Sequence, residues 1–213
     1  MTTIPPSPSD YPVRFDVDYP EVERNRLTVA FRILWVIPIA IVLAVLTREG
    51  FSIRDNQGPV VTAIGGGGIL FLPVLLMLVF RQKYPAWWFE WNLQLTRFGA
   101  RVGSYILLLR DEYPSTDDEQ AVHLDIDPPH AETLNRWLPL VKWFLVIPHY
   151  IVLIFLVIAV WVVTIVAWFA ILFTGNHPRG VHGFVVGVAR WWYRVTAYAF
   201  LLTTDEYPPF SLD

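Results

Sequence analysis

From Trp143 to Phe173 the chain contains no Asp, Glu, Lys or Arg, and His149 is its only group able to charge near neutral pH. A run of that length is lipid-facing sequence. As one helix it would measure about 46 Å, against a hydrocarbon core of about 30 Å, so two readings arise. In one, the run together with Leu138 to Lys142 folds as a helical hairpin turning near Leu156 to Ala159. In the other, an interfacial helix ends at Ile147, Pro148 breaks it, and one tilted span covers His149 to Phe173. A different pattern covers Trp87 to Leu109. Glu90, Gln94, Arg97, Arg101 and Ser104 recur at helical spacing on one face, opposite Trp88, Trp91, Leu95, Phe98, Val102 and Tyr105, which predicts an amphipathic helix. Val181 to Leu202 keeps Arg190 and Arg194 on the same stripe. Such a helix suits the interface, and a span with its arginines turned inward is the alternative. Near the amino terminus Val13, Phe15 and Val17 alternate with Arg14, Asp16 and Asp18, the period-two signal of a half-buried strand. His123 to Asp127 repeats it.

These patterns come in pairs. VRFDVDYP (13–20) matches VHLDIDPP (122–129) at an offset of 109, and Asn25-Arg26 matches Asn135-Arg136 at 110, as Ile37-Pro38 matches Ile147-Pro148. Further on, Pro85, Arg97, Arg101 and Tyr105 match Pro178, Arg190, Arg194 and Tyr198 at 93, and DEYP (111–114) matches DEYP (205–208) at 94. The chain therefore reads as a tail, 1–10, followed by membrane repeat 1 (11–116) and membrane repeat 2 (117–213). The fall in offset puts 17 additional residues into the first copy, in the polar stretch Thr47 to Thr62. Insertions are tolerated at exposed turns, so the matching point in copy two, near Leu156 to Ala159, is expected to turn as well. This favours the hairpin. The expected fold is an all-α membrane protein with four transmembrane helices as two tandem hairpin repeats. Each repeat carries an amphipathic interfacial helix and a short extended cytoplasmic segment.

On that path Arg48 and Arg54 lie on one side and the other 14 of the 16 Lys and Arg on the opposite side or its interface, which makes both termini cytoplasmic by the positive-inside rule. Composition agrees with a multi-pass protein. Of 213 residues, 54% are hydrophobic and 16% charged, with a mean hydropathy of +0.44. A net charge of -3 gives no nucleic-acid signature. No Cys occurs, so disulfides, thiolate metal sites and Cys nucleophiles are excluded. The tail, MTTIPPSPSD, lacks a signal peptide's basic and apolar regions and reads as disordered.

The phrases LPLVKWFLVIPHYIVL (138–153), WFAILFTGNHPRG (168–180), FVVGVARW (184–191) and AYAFLLTTDEYPPFSL (197–212) resemble an uncharacterised bacterial membrane family common in actinobacteria, domain of unknown function 4389. The resemblance is strong across copy two and weaker across copy one, where Lys83-Tyr84-Pro85 lacks the Arg-Gly that follows Pro178. It implies a bacterial plasma-membrane location and a tandem build, and it carries over no activity and no functional residues.

Candidate chemistry is sparse. Asp16, Asp18, Asp125 and Asp127 form two Asp-x-Asp pairs that could offer oxygen ligands to a divalent cation. A solvated strand face, or ion pairs with the arginines, is the commoner use of such a pattern. Arg97, Arg101, Arg190 and Arg194 could cradle anionic lipid headgroups, since a guanidinium forks onto phosphate oxygens; plain membrane anchoring is the simpler role. His149, next to Pro148, is an ionisable group in an apolar run without an acidic partner there. The other histidines lack zinc spacing. Gly65 to Gly68 lacks the Lys-Ser or Lys-Thr of a phosphate loop, and no nucleophile with a base can be named. The expected function is a non-enzymatic scaffold or accessory subunit packing with other membrane proteins or with its own copies. Anionic-lipid binding or transport is the alternative. Lipids are the expected partners, with no cofactor and no nucleic acid.

Overall fold

The computed structural model describes residues 11–21, 24–47, 54–55, 58–59, 68–116, 118 and 120–213; the amino-terminal tail, Arg48, most of the polar stretch Thr47 to Thr62 and Gly65 to Gly67 lie outside them. In chain order the elements are β1 (Val13–Val17), α1 (Arg26–Ala30), α2 (Arg32–Thr47), β2 (Arg54–Asp55), β3 (Gly58–Pro59), α3 (Gly68–Arg81), α4 (Ala86–Ile106), β4 (Val122–Ile126), α5 (Leu138–Leu145), α6 (Ile147–Thr174) and α7 (Arg179–Thr196), which runs on into a π-helical turn, Ala197–Leu201.

Both period-two segments are strands, and they pair with each other. β1 and β4 are antiparallel, with Val13 opposite Ile126, Phe15 opposite Leu124 and Val17 opposite Val122. Two strands alone are marginal in water and need a packed face. Here Val13, Phe15, Val17, Leu124 and Ile126 are buried in one cluster with Phe89 and Leu93 of α4 and Val185, Val186 and Val188 of α7. The two amphipathic helices have a second buried side. Phe98 and Val102 of α4 enclose Ile39 of α2, while Trp191 and Val195 of α7 enclose Leu153 of α6. The order of layers is therefore sheet, then α4 and α7, then the apolar helices.

That outermost layer corrects the expected hairpin. Leu156 to Ala159 lie inside α6, which runs unbroken for 28 residues. Among the described residues it is the one helix long and apolar enough to cross a membrane; the apolar parts of α2 and α3 are shorter. The four-span, two-hairpin arrangement is thus not the one observed. Its physical flaw is that an insertion in one copy does not create a turn in the other. No Gly, Pro or Asn interrupts 151–173, so nothing competes with the i to i−4 hydrogen bonds of the helix. The break falls instead at Val146, between α5 and α6, with Pro148 in the first turn of α6. Gly175, at φ 77°, ends α6 in the left-handed conformation suited to glycine.

α6 packs antiparallel along α7. Val146 meets Tyr198 at one end and Val160 joins the Val185 to Val188 cluster midway. At the far end Ile171 packs with Val29 and Leu108, where Trp168 Nε1 donates to the Val29 carbonyl at 3.1 Å. α3 approaches the opposite end, with Val74 and Leu78 packed on Leu134 and Leu202. Among the described residues none covers the outer side of this layer. Twelve large hydrophobic side chains of α6, among them Ile151, Ile158, Trp161 and Ile165, are exposed, as are Leu34, Ile41, Leu72 and Phe144 of the neighbouring helices. Full burial of such a side chain stabilises by about 1.5–3 kcal/mol. Leaving a dozen half-exposed in water therefore costs on the order of 10 kcal/mol.

Candidate functional site

The four aspartates project from strands β1 and β4 or follow them, and each is directed at an arginine or a histidine. Arg14 Nη2 lies 2.8 Å from Asp127 Oδ1, His123 Nε2 is 3.3 Å from Asp18 Oδ2, and Arg97 Nη2 is 2.9 Å from Asp125 Oδ1. Arg190 Nη2 is 3.6 Å from Asp16 Oδ1. Among the described residues no group of three or more His, Asp or Glu is placed to hold a metal ion.

The arginines grip the sheet crosswise. Arg97 Nε donates to the Leu124 carbonyl at 2.9 Å, and Arg190 Nε donates to the Phe15 carbonyl at 3.0 Å. Phe15 and Leu124 face each other in the ladder. Thus the helix of the first half holds the strand of the second half, and the reverse. Arg101 Nη1 donates to the Ser115 carbonyl at 2.9 Å. Arg194 is fully buried, donates to the Asp213 carbonyl and lies 5.9 Å from the centre of the Tyr11 ring. Burial, with Arg190 nearby, lowers its pKa. Arg190 Nη1 also holds the Leu212 carbonyl at 3.0 Å, so the last residues are tied to α7.

A second set of charges sits where the amphipathic helices end. Arg24 Nη1 is 2.6 Å from Asp111 Oδ1, and Arg32 pairs with the same carboxylate while lying 4.3 Å from the centre of the Tyr105 ring. At the other end Lys142 Nζ is 2.8 Å from Asp205 Oδ1 and 2.7 Å from the Thr204 carbonyl, over the Tyr198 ring at 4.8 Å. Burial lowers the pKa of Lys142, and Asp205 opposes that by favouring the ammonium. Backbone geometry follows the same correspondence. Leu108 (φ 63°) and Leu202 (φ 55°) close α4 and the turn after α7, while Gln82 (φ 49°) and Gly175 (φ 77°) follow α3 and α6. Asn25 Oδ1 accepts the amides of Leu27 and Thr28, and Asn135 Oδ1 those of Trp137 and Leu138.

Sequence reasoning did not single out Arg24, Arg32, Lys142, Asp111 or Asp205 as partners. The usable signal was present, since Arg32 and Lys142 are matched cations beside apolar runs and Asp111 and Asp205 open the two DEYP copies. His149 lies inside the protein. It is buried, its Nδ1 accepts the Trp191 indole N–H at 3.0 Å, and Phe210 stacks on it at 3.9 Å. A cavity of about 420 Å³ opens between α2 and α6, walled by Ile33, Val36, Trp161 and Ile165 with Arg32 in its lining.

The described residues are mostly helical, and among them one helix is long and apolar enough to cross a membrane. Residues 137–211 match the family model of a domain of unknown function, DUF4389, and are similar to that domain. The matched residues comprise all of α5, α6 and α7 and the segment that follows as far as Ser211. No curated protein and no solved structure matches the chain.

Proposed function

We propose that this protein is an integral membrane scaffold or accessory subunit that seats its outer helical layer in lipid and offers the β1–β4 sheet to other proteins. The observation that carries this reading is the two-sidedness of the molecule. One outer surface is the exposed apolar side of α2, α5 and α6, and the other is a sheet face bearing Arg14, Asp16, Asp18, Asp125 and Asp127. Lipid removes the cost of exposing the first and water solvates the second.

The build is a duplicated unit of about 100 residues. The crosswise Arg97 and Arg190 contacts, the Arg32–Asp111–Tyr105 and Lys142–Asp205–Tyr198 sets, and the matched left-handed residues support that reading. A plasma-membrane location accords with it. Headgroup binding by Arg97, Arg101, Arg190 and Arg194 is the weaker reading, because these guanidiniums already hold carboxylates or carbonyls of their own chain.

Two measurements test the proposal. In membranes of expressing cells the full chain should resist alkaline carbonate and dissolve only in detergent; release by carbonate would refute membrane integration. Crosslinking in native membranes should give a stoichiometric adduct through the sheet face, lost in an Asp18→Lys, Asp127→Lys variant that still folds. An adduct indifferent to those changes, or none, would refute the scaffold role.

A further inference from the structure

Resting on the membrane reading above, we propose that the protein occupies a single leaflet, with α6 parallel to the membrane plane and the β1–β4 sheet in water, so that no helix crosses the bilayer. The first argument is the position of the sheet relative to α6. Because α6 and α7 are antiparallel and side by side, the middle of one adjoins the middle of the other, as Val160 does the Val185 to Val188 cluster. Arg190, midway along α7 and its terminal turn, holds the centre of β1 at Phe15, and Arg97, midway along α4, holds the centre of β4 at Leu124. The sheet therefore lies over the midpoint of α6.

If α6 stood upright across the bilayer, Val160 would be at its centre. Arg97, Arg190, Asp16 and Asp125 would be held at the same depth, where every ionised group is costly. With α6 lying flat, the same charges rise through the α4 and α7 layer into water. The apolar side of α2, α5 and α6 then enters the acyl chains.

Two independent features agree. Both ends of α6 are cationic, with Arg24, Arg26, Arg32 and Arg179 toward Gly175 and Arg136 and Lys142 toward the start. A crossing helix would be oriented by an imbalance of such charge, whereas a flat one is anchored by cations at both ends. Trp161, next to the helix midpoint, is 52% exposed. Tryptophan favours the interfacial belt over the bilayer centre.

The natural absence of Cys makes the test direct. Asn176→Cys and Glu206→Cys, exposed at opposite ends of α6 and α7, are to be treated with an impermeant maleimide in right-side-out and inverted vesicles from expressing cells. Labelling of both from the same side is expected, and labelling from opposite sides in carbonate-resistant protein overturns the flat seating while leaving membrane integration standing. Carbonate release would instead remove the reading beneath it. Nitroxide labels at Ile151, Ile158 and Ile165, in vesicles of phosphatidylcholine and phosphatidylglycerol, provide a second measure. The flat seating gives one common depth; a crossing helix puts the label at 158 deeper than that at 151 by about 10 Å, which would likewise overturn the proposal.

Discussion

Replacing Lys142 by Met tests the charge set at the end of α7. Lys142 is 0% exposed and its ammonium meets Asp205, the Thr204 carbonyl and the face of Tyr198. Methionine fills a similar volume but leaves the carboxylate without this cation. Removing one partner of a buried pair costs about 3–5 kcal/mol because the remaining charge stays desolvated. The Asp205 side chain is 25% exposed, so water recovers part of that and the lower end, about 3 kcal/mol, applies. For a chain of this size each kcal/mol moves Tm by about 2–4 °C, so a fall of about 6–12 °C is expected. The assay is thermal unfolding in detergent followed by tryptophan fluorescence and circular dichroism. Lys142→Met combined with Asp205→Asn removes the stranded charge and keeps an acceptor for the Asn135 amide, so it should recover most of the loss. Arg32→Met should cost less, about 1.5 kcal/mol, because Asp111 still has Arg24. A single Lys142 variant as stable as the wild type, or a double variant no better than the single, would refute the reasoning.

Three further outcomes are expected. In Gly187→Ala the new Cβ would lie 2.8 Å from the Leu212 carbonyl oxygen and 3.0 Å from its Cβ, so the last residues must leave α7; hydrogen exchange at Leu212 and Asp213 should rise about tenfold, and unchanged protection would count against the docked tail. Gly175→Ala, forced to φ 77°, should lose about 1–2 kcal/mol in urea unfolding, with Gly175→Asn nearer wild type. Burial lowers the His177 pKa from 6.5 to about 4, so the folded state holds the neutral ring while the unfolded state takes up a proton. Its stabilisation is complete above about pH 6.5 and is lost as pH falls through about 4, at most about 3 kcal/mol in all. The difference between wild type and His177→Gln in urea unfolding should shrink across that window; a constant difference would contradict the assignment.

Much of the local structure was legible in the residues. The alternation at Val13 to Val17 and at His123 to Asp127 and the polar stripe of 87–109 express constraints acting within a few residues, and two strands and a helix occupy those stretches; the break near Pro148 belonged to the reading that the hairpin displaced, and it falls at Val146. The lipid-like character of 143–173 belongs with these, since it depends on side-chain chemistry alone. The path of that run did not follow from an insertion over a hundred residues away, because helix continuity is decided by the hydrogen bonds of the segment itself. Only the tertiary structure determined which charges meet. Arg97 with Asp125, Arg190 with Asp16, and Lys142 with Asp205 are chosen by how α4 and α7 lie between the sheet and the apolar layer. The same sandwich places the charged sheet over the middle of α6. The periodicity of a sequence specifies the face of each element, whereas burial and ion pairing depend on the second surface brought against it.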